Sequence, residues 1–361
     1  MEWKKVKLGE VAYYVQTKSR HKELTQEDYI STENMLPNKR GIIVASSTIP
    51  ECYTKFQPCD ILISNIRPYF QKIWFANRYG GCSNDVLCIR GDEKVIPVYL
   101  YYLLSQDIFF DYVMLGSKGT KMPRGDKNQI MQYEFPLPPL ETQHRIAAIL
   151  SSLDDKIENN NRINRNLEAQ AQALFKSWFV DFEPFGGKMP EDWKEGTLGE
   201  IAHVTSGKRP PLKQSLCSAD INIPLIGAAD IMGYTNSVLY TTPILVTGRV
   251  GTHGIVQRFN EPCWPSDNTL VVEGKWYEYI YQTMCRIDYH NMNRGSTQPL
   301  ITQTDLKNQK VIIPNVLILD KFETQVTILY KQVYINQREN DRLAALRDTL
   351  LPKLMKGEIE V

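Results

Sequence analysis

The sequence predicts an α+β fold in which two mixed, β-rich domains are separated by two long helices. The helices are expected to pair as an antiparallel coiled coil, and the whole chain forms a pseudo-twofold tandem repeat. Two observations support this prediction. A heptad pattern of apolar residues occurs twice, and the segment before each occurrence carries the same short motifs in the same order.

The heptad pattern marks the two long helices. Its positions, spaced alternately by four and three, are Ile146, Leu150, Leu153, Ile157, Asn160, Asn164, Leu167, Ala171, Leu174 and Trp178. The same series returns 176 residues later as Phe322, Val326, Leu329, Val333, Asn336, Asn340, Leu343, Arg347, Leu350 and Leu354. A buried asparagine in a heptad lowers stability but fixes register and partner. We therefore expect the two helices to pair through their asparagines, and Asn164→Leu with Asn340→Leu to raise stability while loosening the register.

Short motifs show that the rest of the chain is also duplicated. The opening segment Trp3–Ala12 returns at an offset of 190 as Trp193–Ala202, and the run Ile61–Ser64 returns at an offset of 183 as Ile244–Thr247. Because motif order is kept while the offset falls, each copy is a globular domain followed by a helix. The predicted boundaries are domain 1 at 1–139, helix 1 at 140–183, a linker at 184–192, domain 2 at 193–314 and helix 2 at 315–361.

Within each domain the pattern is mostly β-strand. Short apolar and aromatic runs such as Gly41–Val44, Ile61–Ile63 and Lys72–Phe75 are separated by Gly, Pro and Asn. Val98–Phe110 is predicted to form one helix, with Ile280–Arg286 as its counterpart. Proline-marked segments precede both heptad series and set the domain boundaries.

Composition limits the class of protein. The chain has 361 residues, 42% of them hydrophobic and 23% charged, with a net charge of +1. It carries no pattern typical of a signal peptide or membrane span, and its seven cysteines contain no C-x-x-C pair. We expect a cytoplasmic protein with free thiols, no membrane contact and no zinc site.

The sequence contains no recognisable catalytic motif. Neither a Walker-type phosphate loop nor a G-x-G-x-x-G turn after a strand is present, and the five histidines form no metal-binding pattern. Asp181 followed by Asp192-Trp193-Lys194 imitates a nuclease metal site. The equivalent Glu2-Trp3-Lys4 has no upstream acid, so this element is interpreted as the start of a domain.

Polar residues beside turns are the candidate binding residues. Arg, Lys, Asn, Gln, Ser and Thr contact phosphates and base edges in DNA complexes, although they also occur in ordinary loops. The candidates in the first copy are Ser64, Asn65, Arg67, Tyr69, Lys72, Lys118, Thr120, Lys121 and Arg124. Those in the second are Thr247, Arg249, Thr252, His253, Arg294, Ser296, Thr297 and Gln298.

Several longer strings make the chain resemble the specificity subunit of type I restriction-modification systems. They are the opening Trp3…Leu8-Gly9-Glu10, the segment Asp60–Pro68, the string Glu141–Leu150, the string Leu174–Phe182 and the terminal string Leu346–Ile359. The resemblance covers the whole chain. It implies two target-recognition domains that each recognise one half of a split, asymmetric double-stranded DNA target, held apart by paired helices.

The resemblance also implies what the chain lacks. Such a subunit performs no chemistry: two methyltransferase subunits bind its helices and hold S-adenosylmethionine, and restriction subunits supply ATP- and Mg²⁺-dependent activity. We expect Ile149, Phe175 and Phe179, which lie outside or beside the heptad positions, to be exposed and to contact the methyltransferase. A helix from Ile146 to Trp178 is roughly 50 Å long, which could set the DNA spacer.

One departure and two alternatives remain. The second helix lacks the Gln-x-x-Ile-Ala start of the first, and Arg347 replaces Ala171, so the two partner-binding faces are expected to be unequal. The alternatives are a self-contained methyltransferase or nuclease with diverged motifs, and a coiled-coil scaffold that binds only protein.

Overall fold

The computed structural model describes residues 3–20, 24–45, 48–252, 254–289, 291–292 and 300–361. The chain divides into two compact units, and both long helices contribute to each. Unit 1 comprises Met1–Asn160 and Arg338–Val361, and unit 2 comprises Asn161–Gln337. Among the described residues, no helix is long and apolar enough to cross a bilayer.

In the part that the structure describes, unit 1 contains three sheets and three short α-helices. Its strands are β1 Lys4–Lys7, β2 Ala12–Tyr14, β3 Lys18–Ser19, β4 Tyr29–Ile30, β5 Tyr53–Phe56, β6 Ile61–Ser64, β7 Ile73–Phe75, β8 Gly80–Cys82, β9 Val86–Gly91 and β10 Glu134–Leu137. Its short α-helices are α1 Pro97–Leu104, α2 Asp107–Leu115 and α3 Lys127–Ile130. The sheet orders are β2-β9-β6-β7, β3-β5-β8-β4 and β1-β10.

Strand β6, inside the central sheet of unit 1, is buried on both faces. Every residue of β6 is buried, which matches its unbroken apolar run Ile61-Leu62-Ile63. At the start of that strand the fully buried Asp60 accepts two hydrogen bonds from Arg90, at 2.6 and 2.8 Å. Such a bidentate pair compensates the cost of burying a carboxylate and fixes β6 against β9.

Unit 2 repeats the central sheet and the two-stranded sheet of unit 1. Its strands are β11 Lys194–Thr197, β12 His203–Ser206, β13 Ile223–Ile226, β14 Ile231–Thr235, β15 Ile244–Gly248, β16 Val256–Phe259, β17 Trp264–Pro265, β18 Thr269–Glu273 and β19 Lys310–Ile313. Its short α-helices are α5 Leu198–Ile201, α6 Tyr277–Met284 and α7 Gln303–Lys307. The order β12-β18-β15-β16 matches β2-β9-β6-β7, and β11-β19 matches β1-β10, so the predicted tandem repeat is confirmed.

The two long helices are α4 Leu140–Phe179 and α8 Val316–Met355. All twenty predicted heptad positions lie in the described residues, and none of them is exposed. Asn160 donates to Asn340 at 2.9 Å in unit 1, and Asn336 donates to Asn164 at 2.8 Å in unit 2. Residue numbers rise on one helix as they fall on the other, which confirms antiparallel pairing.

This pairing corrects the proposed leucine substitutions. Asn164 and Asn340 are equivalent in the repeat, but antiparallel geometry gives them different partners. Replacing those two together would break both asparagine pairs instead of removing one. The predicted domain boundaries stay predictions.

Two local predictions are wrong. The segment 98–110 is not one helix, because Ser105 ends α1 by donating its hydroxyl to the Tyr102 carbonyl at 2.8 Å and Gln106 has extended backbone angles. The acidic Asp107 then starts α2, where it favours the helix N-terminus. The run 41–44 forms only an isolated antiparallel bridge between Ile42 and Met35, because the Ile43 carbonyl accepts the side-chain amide of Asn34 instead of a further backbone N–H.

Candidate nucleic-acid interface

The candidate residues of unit 1 lie on two adjacent loops. These loops, residues 64–72 and 117–126, are called the first loop pair. The backbone N–H of Arg67 donates to Pro123 O at 2.8 Å, and Gly125 N donates to Asn65 O at 3.2 Å. The Asn65 N–H donates to Asp85 O at 2.8 Å, which fixes the loop pair to the turn before β9. The structure therefore brings together nine candidates that are separated by up to 60 positions in the sequence.

The first loop pair contains strained backbone. Arg67 and Gln71 have φ values of +51° and +50°, which are uncommon for residues other than glycine. They flank a short 3₁₀ turn at Pro68–Phe70 and are held by hydrogen bonds to Pro123 and Pro68. Each such conformation costs on the order of 1–3 kcal/mol, and strain of this kind concentrates at functional sites.

Three basic side chains of this loop pair are held by a hydrogen bond or an ion pair. Lys72 donates to Thr32 O at 2.7 Å, and burial together with the Arg67 charge lowers the pKa of Lys72. Lys118 pairs with Asp126 at 3.2 Å, and Arg124 pairs with Asp85 at 3.3 Å.

The other side chains divide into buried and exposed groups. Ser64 is buried and donates to Ile66 O at 3.0 Å. Among the described residues, Asn65 Oδ1 and Arg67 Nε are buried without a hydrogen-bond partner. Tyr69, Thr120 and Lys121 are exposed. The arrangement combines donors, an acceptor, an aromatic ring and exposed cations, which are the groups that contact phosphates and bases.

Unit 2 has the same backbone arrangement. Arg249 N donates to Asn268 O at 2.8 Å, and Ile301 N donates to Arg249 O at 3.0 Å. A bridge between Val250 and Leu300 corresponds to the bridge between Ile66 and Arg124. Residues 247–252 and 300–301 are called the second loop pair.

The described candidates of unit 2 differ in exposure. Thr247 is buried, Arg249 is half-buried and Thr252 is exposed. Gly248 is required at the turn, because a Cβ there would lie 1.9 Å from Thr252 O. His253, Arg294, Ser296, Thr297 and Gln298 lie outside the described residues, so their candidate role stays a prediction.

Sequence reasoning missed a second group of basic residues. Lys18 and Lys127 line a cleft of unit 1, and Lys208, Arg209 and Lys213 are exposed after β12 in unit 2. A sequence signal existed: no acidic residue occurs between Glu10 and Glu23, or between Glu200 and Asp220. Such acid-free basic segments indicate an anionic partner.

The expected exposure of two partner-binding residues is wrong. Phe175 and Phe179 are only 5% and 3% exposed, because they pack against Tyr279 and Phe322 in an aromatic cluster of unit 2. Ile149, in unit 1, is 36% exposed. The aromatic pair therefore joins the helices to the domain within unit 2, and Ile149 alone of the three remains accessible.

Several apolar residues of the long helices are exposed. They are Leu140, Ile149 and Leu346 in unit 1, and Ile163, Val316, Leu317, Ile328, Tyr334 and Ile335 in unit 2. Arg347 does not interrupt the packing, since its guanidinium pairs with Asp154 at 2.6 Å.

A buried polar cluster attaches α6 to α8 in unit 2. Arg258 lies over the rings of Tyr281 and Tyr330 and makes a bidentate pair with Glu278. Glu323 of α8 accepts hydrogen bonds from the N–H groups of Glu278 and Tyr279 at 3.1 and 2.8 Å. Burial raises the pKa of Glu323 to about 7, although those two hydrogen bonds oppose the shift.

The described residues provide no metal site. Within them, no group of three or more His, Cys, Asp or Glu side chains is placed to hold a metal ion. The paired helices, the duplicated domain and the loops with basic residues together have the form of a two-domain recognition protein.

The chain belongs to the family of type I restriction modification DNA specificity proteins. The model of the DNA specificity domain matches it twice, over residues 1–169 and 190–339. The chain is the DNA specificity subunit of a type I restriction-modification system. The role of such a subunit is recognition and not catalysis. The match of the DNA specificity domain to both copies favours this role over a self-contained enzyme or a protein-only scaffold.

The relatives align with nearly the full length of this chain. The type I restriction enzyme MjaIX specificity subunit of Methanocaldococcus jannaschii is 26% identical, with 99% of this chain and 93% of that protein aligned. The HindI specificity subunit of Haemophilus influenzae is 23% identical, over 99% and 100%. The crystal structure of the S subunit from M. genitalium has the same fold, with a TM-score of 0.62, 17% identity and coverage of 98% and 96%.

Proposed function

We propose that the two units recognise two different halves of a split double-stranded DNA target. In this proposal the first loop pair contacts one half-site through Ser64, Asn65, Arg67, Tyr69, Lys72, Lys118, Thr120, Lys121 and Arg124. The second contacts the other half-site through Thr247, Arg249 and Thr252, together with His253, Arg294, Ser296, Thr297 and Gln298. The observation that carries the proposal is the recurrence of one loop arrangement at the ends of β6 and β15.

The content of the loops supports an asymmetric target. The two loop pairs share backbone hydrogen bonds, but Asn65 in unit 1 corresponds to Arg249 in unit 2. Asparagine favours adenine, whereas arginine favours guanine. Equivalent frames with different side chains therefore favour half-sites of different sequence.

The partners follow from the same proposal. Two methyltransferase subunits dock on exposed apolar residues of α4 and α8, of which Ile149 is one, and restriction subunits bind the resulting complex. S-adenosylmethionine, ATP and Mg²⁺ belong to those partners. The complex acts in the cytoplasm, which suits a chain whose seven cysteines are all free.

A domain exchange tests the split target. Residues 1–139 are replaced by the corresponding segment of a related specificity subunit, and the methylated sites are mapped in DNA modified by the assembled complex. We expect one half-site to change while the other half-site is retained. A matched control exchanges residues 193–314 and should change the opposite half. Alteration of both half-sites by either exchange, or a continuous target, would contradict the proposal.

A further inference from the structure

A polar cleft of about 470 Å³ lies in unit 1 beside the first loop pair. Its polar lining consists of Tyr14, Gln16, Lys18, Thr54, Asn84 and Lys127 over an apolar floor. No acidic residue lines it. A concave surface with two lysines and no carboxylate attracts an anionic group.

Lys18 is held in this cleft by two neutral acceptors. Lys18 pairs in register with Thr54 across β3 and β5. Its ammonium donates to Thr54 Oγ1 at 3.0 Å and also to Asn84 Oδ1. Both acceptors are neutral oxygens, so the cation is held in place but not neutralised. A side chain ordered in advance loses less entropy when it binds a ligand.

The cleft is continuous with the first loop pair. Asn84 precedes Asp85, whose carbonyl accepts the Asn65 N–H and whose carboxylate binds Arg124. On the other side, Lys127 follows Asp126, which pairs with Lys118. Tyr14 also donates its hydroxyl to the Lys127 carbonyl at 3.0 Å. Asn84 and Lys127 therefore place the cleft next to the first loop pair.

The position of Lys18 is repeated in unit 2. At the offset of 190 that relates the two domain starts, Lys18 corresponds to Lys208. Each lysine follows the strand that pairs at the edge of the central sheet, β2 with β9 and β12 with β18. The Lys208 carbonyl accepts the Trp264 indole N–H at 2.8 Å, which orders its backbone, while its side chain is exposed.

We propose that the cleft of Lys18 and Lys127 binds a backbone phosphate of DNA beside the half-site contacted by the first loop pair. Lys208 is the counterpart in unit 2. These lysines position the duplex and do not select its sequence, since phosphates are the same at every base pair. The inference rests on the proposed DNA-recognition function and adds residues that the loop candidates did not include.

The test is salt-dependent binding by the complete complex with its methyltransferase subunits. Lys18→Ala is compared with Lys18→Arg, which keeps the charge, and with Lys55→Ala as the matched control. Lys55 is an exposed lysine next to Thr54 in β5, and successive strand residues point to opposite faces. Binding is measured from about 0.05 to 0.3 M salt, on a duplex with the mapped target and on a scrambled duplex.

Loss of one phosphate contact should reduce the slope of log affinity against log salt by about 0.9 and weaken binding about eightfold at 0.1 M salt. Lys18→Ala should do this equally on both duplexes and leave the methylation sites unchanged. Lys18→Arg and Lys55→Ala should retain the original slope. A Lys18→Ala slope equal to that of Lys55→Ala would overturn the inference, and relaxed choice at one base pair would show base contact instead. If the unaltered complex does not prefer the target duplex, the proposed function itself fails.

Discussion

The buried pair Asn164–Asn336 gives a sharp test of the helix pairing in unit 2. The two side chains are 6% and 5% exposed, and the amide of Asn336 donates to the Asn164 carbonyl at 2.8 Å. Asn336 also accepts a hydrogen bond from Gln332 at 2.8 Å. Replacing Asn164 by leucine removes the acceptor of a buried amide, whereas replacing both asparagines removes the polar groups together.

The expected magnitudes follow from hydrogen-bond energetics. A buried donor without a partner costs about 1–3 kcal/mol, so Asn164→Leu alone should lower the free energy of unfolding by that amount. The matched double variant Asn164→Leu with Asn336→Leu should recover this loss or exceed the original stability, because leucines at paired heptad positions bury apolar surface. Asn336→Leu should also be destabilising, because it leaves the Asn164 carbonyl without its donor. The coupling energy between the two sites should therefore be at least about 1–3 kcal/mol.

A double-mutant cycle measures this coupling by urea unfolding of the full chain, followed by far-ultraviolet circular dichroism. The mismatched variant Asn164→Leu with Asn340→Leu serves as the control, since it leaves Asn336 and Asn160 with broken pairs. It should be less stable than the matched double variant. Additive effects of Asn164→Leu and Asn336→Leu, or equal stability of the matched and mismatched variants, would refute the antiparallel register.

Two further predictions concern the helices. Ionised Glu323 is disfavoured by burial, with a pKa raised from an ordinary value of 4.5 to about 7, so its stabilising contribution is full below pH 4.5 and is lost as pH rises through 7. The free energy of unfolding should fall by about 2 kcal/mol between pH 5 and pH 7, and Glu323→Gln should abolish this fall in urea titrations at those two pH values. Ile149→Asp should keep the melting temperature but lose co-purification with the methyltransferase, while Gln170→Asp, an added charge at an exposed polar position of α4, should keep both; a stable complex with Ile149→Asp would exclude that contact.

The sequence by itself determined the repeated architecture and the pairing of the helices. Heptad spacing places an apolar stripe on one side of a helix whatever surrounds it, and all of the predicted positions are at least partly buried. The duplicated motifs likewise predicted the two matching central sheets. Strand β6 was recognisable because a strand covered on both faces is an unbroken apolar run.

Only the tertiary structure decided which residues meet. The sequence marks Asn164 and Asn340 as equivalent, but the direction of the helices makes Asn336 the partner of Asn164. Phe179 has the same apolar character whether it covers a neighbouring domain or binds another subunit, and its contacts with Tyr279 and Phe322 give it the first role. Lys18 is a candidate phosphate-binding residue only because folding places its ammonium beside Thr54 and Asn84. Contacts between distant residues depend on chain folding, which local patterns do not encode.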